Sequence, residues 1–217
     1  MKKITLLFFL LISASFVFEA AAQKDPKAKI ILDGMSKKFQ GMNGFTASFD
    51  FTFQDQTGSS DRQTGDIAVK GGQYRLKLPD QEIFNDGKTV WTFIETDSYK
   101  EVTINDASQM EGELTPSNIY RMYESGYNYK LNGEKQFQGK TAQLVELIAI
   151  KSGAPFEKVT LRIEKATSNL LGWEMYDGQG GVFSYAFTNL RTNVNLTTNY
   201  FSFDIKQYPG IEVIDLR

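Results

Sequence analysis

Few of the residue types that carry out chemistry in proteins are present in this chain. It contains neither histidine nor cysteine, so serine triads, Cys-His nucleophiles and the usual zinc sites are excluded or reduced to rare variants. The acidic pair Glu95 and Asp97 has the residue types of a glycosidase, but no pattern around it indicates a cleft. We therefore expect no enzyme activity, no cofactor and no metal. An enzyme acting on lipids or glycans is the least favoured alternative.

The chain instead carries a strong pattern for burying apolar surface. From Phe45 to Gln54 apolar and polar residues alternate strictly, and Phe49, Phe51 and Phe53 share the face of Phe45. Such alternation predicts a half-buried β-strand. A face of aromatic side chains gives non-directional affinity to a ligand without polar groups, such as an alkyl chain. The same face is equally typical of a dry protein core.

Two helices and a long sheet would have to position these aromatics. Asp25-Pro26 predicts the start of an amphipathic helix that ends at Gly41, and Thr115-Pro116 predicts an inserted helix that ends at Gly126. Besides the strand at 45–54, alternation and turn residues predict strands at 64–69, 74–78, 81–84, 90–94, 99–104, 127–131, 142–150, 158–163, 170–176, 182–190 and 201–203. An antiparallel sheet of roughly eleven strands tends to curl. Its concave face must be filled by side chains, a helix or a ligand.

The first residues have the pattern of an export signal. Lys2 and Lys3 precede an apolar stretch from Ile4 to Phe18, and three alanines end at Ala22. We expect cleavage near Ala22, which would leave one periplasmic domain at 23–217. The formal net charge of −2 argues against a nucleic-acid ligand or a polybasic membrane patch.

Several segments resemble one known family when they are taken in order. They are Phe45–Phe49, Gly65–Lys70 with Tyr74, Asp86-Gly87-Lys88 with Trp91, Thr115-Pro116, Asp177–Gln179, Phe187–Leu190 with Asn193, Phe201–Phe203, and Pro209–Ile211 with Val213. Together they are similar to the bacterial outer-membrane lipoprotein carrier (LolA) family. The resemblance implies an incomplete, half-open antiparallel β-barrel with an N-terminal helix and a lid helix over its mouth.

The resemblance also implies a function and partners. Family members accept acylated lipoproteins from an inner-membrane lipoprotein-releasing ABC transporter, shield the acyl chains in a hydrophobic cavity, and pass them to an outer-membrane acceptor. We expect the same role here. The alternative on the same fold is a periplasmic module that senses lipids or lipoproteins and signals through a partner. A carrier hands its cargo on, whereas a sensor retains it.

The alternating strands and the inserted helix together supply the candidate lipid-binding residues. These are Phe45, Phe49, Phe51, Phe53, Tyr74, Leu76, Leu78, Trp91, Phe93, Ile119, Met122 and Tyr123. One departure from the family concerns the lid. Members commonly carry an Arg-Pro pair, tied to lid movement, where this chain has Gly71-Gly72. The family's opening mechanism therefore does not transfer to this chain.

Overall fold

The structure is a computed structural model that describes residues 24–110 and 115–217. The predicted signal peptide, residues 1–22, lies outside the described residues. Within the described ranges, no helix has the length and apolar character needed to cross a membrane.

The N-terminal helix α1 spans Pro26–Gln40, as the sequence predicts. Asp25 caps it by accepting a hydrogen bond from the Lys27 amide at 2.8 Å. The second carboxylate oxygen of Asp25 accepts from the Leu131 amide at 3.0 Å. The cap residue therefore also ties α1 to the sheet. Leu32, Met35 and Phe39 on the buried face of α1 join the main apolar core.

Twelve strands form one sheet among the described residues. They are β1 (Phe45–Gln54), β2 (Ser60–Lys70), β3 (Gln73–Lys77), β4 (Gln81–Asn85), β5 (Thr89–Glu95), β6 (Lys100–Asp106), β7 (Tyr127–Phe137), β8 (Lys140–Ala149), β9 (Lys158–Glu164), β10 (Leu170–Tyr176), β11 (Val182–Thr192) and β12 (Glu212–Asp215).

The spatial order is β12-β6-β5-β4-β3-β2-β1-β11-β10-β9-β8-β7. All neighbours are antiparallel except β12, which pairs in parallel with β6. Since β12 and β7 end the sheet without meeting, the barrel is incomplete. The predicted mainly β, half-open barrel is confirmed. β1 lies at its centre because it pairs with both β2 and β11.

The inserted helix differs from the prediction. Residues Ile119–Glu124 form a 3-10 helix of six residues, where the sequence suggested a longer helix starting at Thr115-Pro116. A turn occupies the start, because the Thr115 carbonyl accepts from the Asn118 and Ile119 amides at 3.0 and 3.1 Å. Gly126, at φ +82°, then redirects the chain. Too few residues remain between these points for a regular α-helix.

The predicted strand at 201–203 is wrong. Residues Thr198–Phe201 form a 3-10 helix, and Phe201 and Phe203 are buried in two different apolar clusters on the sheet. The spacing of Phe201 and Phe203 therefore reflects contacts with two separate clusters and not pairing with a neighbouring strand. The strand that sequence analysis missed is β12, whose four residues are too few for a clear period of two.

The two faces of the sheet are covered differently. The concave face carries Phe45, Phe49 and Tyr74 and is covered by α1 and the 3-10 helix at 119–124. The convex face of the first half of the sheet is covered by residues 194–211, which pack on Ala68 and on Phe84. Side chains that alternate along one strand therefore end in separate clusters.

Candidate functional site

The concave face encloses an apolar cavity of about 240 Å³ beneath the turn at 115–119. Its lining residues are Phe49, Ile67, Tyr74, Leu76, Ile83, Thr115, Pro116, Ile119, Trp173, Met175, Tyr185 and Phe187. They come from strands as far apart as β4 and β10, about 24 Å in a flat sheet. Side chains that distant share one cavity only because the sheet curls. No charged side chain belongs to this lining, which suits an uncharged alkyl chain.

One wall depends on a close approach between β1 and β2. Gly65 lies directly opposite Phe49 in the strand register. A Cβ atom at position 65 would lie 2.6 Å from Cζ of Phe49 and 2.5 Å from the Lys77 carbonyl oxygen. The Phe49 ring therefore lies over the glycine backbone, and from there it reaches the cavity.

The opposite wall was not predicted from the sequence. Trp173 of β10 stacks on Tyr185 of β11 with ring centroids 4.8 Å apart, and it meets Phe187 edge-on at 5.3 Å. Glu174 alternates with Trp173 and Met175 and marks the opposite face of β10, but the first four residues, 170–173, are all buried and hide this pattern. The register of β11 could have been found, because Phe183, Tyr185 and Phe187 repeat with a period of two.

The hydroxyl of a tyrosine links the lid over the cavity to α1. Tyr123 is buried in the 3-10 helix at 119–124, and its hydroxyl donates to the Asp33 carboxylate at 2.9 Å. Asp33 also pairs with Lys29 at 2.6 Å. Burial, followed by the hydrogen bond to Asp33, raises the pKa of Tyr123 to about 12. The hydroxyl therefore stays protonated and able to donate at neutral pH.

The predicted binding residues divide into three groups. Phe49, Tyr74, Leu76 and Ile119 line the cavity. Six others pack in the same apolar cluster or beside it without lining the cavity: Phe45, Phe51, Phe53, Leu78, Met122 and Tyr123. Among these, Phe45 is buried against Phe39 of α1, whereas Phe51 and Phe53 are only half-buried and pack on Tyr185 and Phe183 with ring centroids 4.8 Å apart. They extend the aromatic surface of β1 beyond the cavity.

Trp91 and Phe93 form the third group and lie on the other side of the sheet. They pack in the convex-face cluster around Phe203, and Phe93 meets the rings of Phe203 and Tyr208 at 5.2 and 4.7 Å. The structure does not bring them to the cavity. Alternation places both on one face of β5, but it does not say which face turns inward.

The acidic pair does not lie in a cleft. Glu95 and Asp97 are exposed at the end of β5, and Glu95 forms an ion pair with Lys100 of the adjoining strand. Neither belongs to the lining of the cavity.

A curled, open sheet around an apolar cavity defines the class of half-barrel proteins with an internal cavity. Within this class, the chain belongs to the outer membrane lipoprotein carrier protein LolA family, whose sequence model matches residues 40–204. An outer-membrane lipoprotein carrier protein of Legionella pneumophila (strain Corby) is 22% identical over 187 residues, covering 83% of this chain and 87% of the relative.

Solved structures show the same fold at low identity. An uncharacterized conserved protein from Thermus thermophilus matches with a TM-score of 0.58 and 16% identity, over 87% of this chain and 99% of that chain. LprF from Mycobacterium bovis matches with a TM-score of 0.52 and 15% identity, over 81% of this chain and 97% of that chain.

Proposed function

We propose that this protein is a periplasmic carrier that shields the acyl chains of lipoproteins in its concave cavity and ferries them from the inner to the outer membrane. The observation that carries the proposal is a cavity lined by apolar and aromatic side chains, without a charged group, beneath a short lid. Each methylene moved out of water contributes about 0.8 kcal/mol. A lining of this kind therefore binds an alkyl chain without contacting, or selecting for, the polypeptide to which that alkyl chain is attached.

The cargo in this proposal arrives from a lipoprotein-releasing ABC transporter and leaves to an outer-membrane acceptor. The proposed binding residues are those that line the cavity, together with the half-exposed aromatics Phe51 and Phe53. These two rings would extend the contact with the acyl chain along β1. Trp91 and Phe93 are left out of the proposed set because they lie on the convex face.

The test is protection of a triacylated peptide from aggregation, followed by transfer to acceptor vesicles. The wild type should protect the peptide at a stoichiometry of about one and then release it. Leu76→Glu places a carboxylate in the cavity wall, and we expect it to weaken protection at least tenfold because an unpaired charge in an apolar site is costly.

The matched control is Thr52→Glu. Thr52 lies on the face of β1 that points away from Phe51, so the same carboxylate there should leave protection unchanged. Equal protection by Leu76→Glu and the wild type would show that the acyl chains bind elsewhere. Protection without transfer to the vesicles would favour the sensing module over the carrier.

A further inference from the structure

A second, polar groove lies on the convex face and is not explained by acyl-chain binding. Its volume is about 530 Å³, within the range of about 300–1,000 Å³ that is usual for ligand sites. It is lined by Thr46, Ala47, Ser48, Asp66, Ile67, Ala68, Arg75, Lys77, Glu82, Asn189, Arg191 and Tyr200.

Arg75 is held in place before any ligand arrives. Its guanidinium lies between the rings of Phe84 and Tyr200, 4.5 and 4.8 Å from their centroids. Its Nε donates to the Glu82 carboxylate at 2.7 Å, and the side chain is 29% exposed. An arginine fixed in this way loses little entropy when its remaining donors bind a carboxylate or phosphate group.

Two further cations of the groove have no ion-pair partner among residues 24–110 and 115–217. Lys77 follows Arg75 on the same face of β3, and Arg191 lies opposite Thr46 on β11. The carboxylates of the groove already accept hydrogen bonds, Glu82 from Arg75 and Asp66 from the Ser48 hydroxyl at 2.7 Å. The three cations thus exceed the two carboxylates by one, so the groove keeps a net positive charge even though Asp66 lies opposite Lys77 in the β2–β3 register.

The β1–β11 register shapes the groove between these cations. A bulge interrupts the pairing between Thr46 and Ser48, and Asn189 adopts φ +51° in the bulged segment. A bulge redirects side chains, and asparagine is one of the few non-glycine residues that tolerates the left-handed conformation. The groove floor between Arg191 on one side and Arg75 with Lys77 on the other carries the short side chains of Thr46 and Ser48. Ala68, at its edge, is buried against Leu196 and Phe201.

We propose that this convex-face groove binds an oxyanion, a phosphate or carboxylate group, through Arg75, Lys77 and Arg191. The short floor leaves room for the group to approach the sheet, and the stacked Arg75 supplies a rigid fork. Because the groove and the acyl cavity lie on opposite faces of the sheet, an anion bound in the groove does not compete with an acyl chain.

The test uses ¹⁵N-labelled protein titrated with inorganic phosphate and, in a separate arm, with vesicles containing phosphatidylglycerol. Saturable shifts of the amide resonances at 46–48, 66–68 and 189–191 are expected. Saturation by inorganic phosphate identifies a free small anion as the occupant, whereas a response to the vesicles alone identifies a lipid head group.

The double variant Lys77→Gln and Arg191→Gln removes the two unpaired charges and should weaken binding at least tenfold. The control Lys151→Gln removes one charge from an exposed turn outside the groove and should have no effect. Leu76→Glu should bind phosphate as the wild type does, because Leu76 belongs to the cavity and not to the groove. The anion-binding proposal can therefore hold even if the carrier proposal fails. The proposal is overturned if neither probe gives saturable shifts, or if the double variant binds like the wild type.

Discussion

At the scale of single residues, the cavity wall depends on the absence of a side chain at position 65. Phe49 can lie over the sheet only because Gly65 opposes it in the register. An aromatic ring packed over a cross-strand glycine shields backbone that the glycine leaves open. The pair therefore links a backbone position on β2 to the shape of the binding surface.

Gly65→Ala should disturb this wall. The added methyl group would meet both the Phe49 ring and the Lys77 carbonyl oxygen, so we expect the free energy of unfolding to fall by about 1–3 kcal/mol, as overpacking usually costs. Urea denaturation measures this loss. Gly72→Ala is the matched control, because nothing lies within 4 Å of the added Cβ atom. A Gly65→Ala protein as stable as the control would mean that Phe49 shifts freely.

The sequence predicted only in part which side chains face the concave side of the sheet. Alternation along β1 correctly grouped Phe45, Phe49 and Phe51 on one face. The same rule grouped Trp91 with Phe93 but could not choose between the faces, because both faces of this half of the sheet are covered. That choice depends on residues 194–211, which are about 100 positions away in sequence.

At the scale of elements, the lid is a short segment whose position rests on a few contacts with α1. Tyr120 stacks on Phe39 at 5.5 Å, and the Tyr123 hydroxyl bonds to Asp33. The sequence predicted a helix here because its apolar residues have helical spacing. It could not predict the shortening, since that follows from the turn at Thr115 and the left-handed Gly126.

Where the resemblance led us to look for an Arg-Pro pair, this chain has Gly71-Gly72, and the lysine beside that turn does not contact the lid. Lys70, which directly precedes the Gly71-Gly72 turn in sequence, donates to the Leu196 carbonyl at 2.6 Å. It therefore anchors the convex-face segment and not the lid. In this chain, Tyr123 and Asp33 supply the polar link between lid and helix.

Tyr123→Phe should loosen the lid. The variant keeps the ring but loses the hydrogen bond to Asp33, which contributes about 1 kcal/mol at a partly exposed carboxylate. Because this bond holds the lid closed in the empty protein, we expect an acylated fluorescent probe to bind several-fold faster to the variant, as measured by stopped flow. Tyr120→Phe is the control on the same 3-10 helix, because no hydrogen bond of its hydroxyl is seen among the described residues. If both variants bind the probe at the same rate, the hydroxyl contact does not hold the lid.

The same contact predicts a dependence on alkaline pH. The pKa of Tyr123 is raised from 10.0 to about 12 in the folded protein, so the unfolded chain loses this proton first as the pH rises. Stability from this group is therefore complete below about pH 10 and is lost as the pH approaches about 12. The difference in unfolding free energy between the wild type and Tyr123→Phe should shrink over this interval. Tyr176, whose pKa is also raised to about 12, titrates in both proteins and cancels. A constant difference would contradict the prediction.

At the scale of the whole molecule, the sheet separates two surfaces of opposite character. The concave side holds an apolar cavity without charged lining residues, and the convex side holds a polar groove with three cations. β1 and β3 contribute alternate residues to both, as Phe49 and Ser48 or Leu76 and Arg75 illustrate. Under the two proposals above, an acyl chain and an anion would therefore occupy opposite faces of one curled sheet, and neither would displace the other.

The size of the cavity sets a condition on how cargo enters. At about 240 Å³ it is smaller than the sites of about 300–1,000 Å³ that hold drug-sized ligands. A long acyl chain therefore fits only if the cavity widens. The curled strands are joined by long hydrogen-bonded ladders, whereas the described part of the lid is held to α1 by side-chain packing and by the Tyr123 hydroxyl. The lid is the part that costs least to move.

Hydrogen exchange tests whether the lid moves. With saturating triacylated peptide, amides at 119–124 should exchange faster than in the free protein, because the lid must leave its contacts with Phe39 and Asp33. Amides in β9, which lies within the sheet between β8 and β10, should exchange no faster, and this controls for general destabilisation.

If peptide binds and the lid becomes more protected instead, the acyl chain enters beneath a closed lid. The half-exposed rings of Phe51 and Phe53 would then be its route, and Phe51→Glu should block binding while Tyr123→Phe leaves the entry rate unchanged.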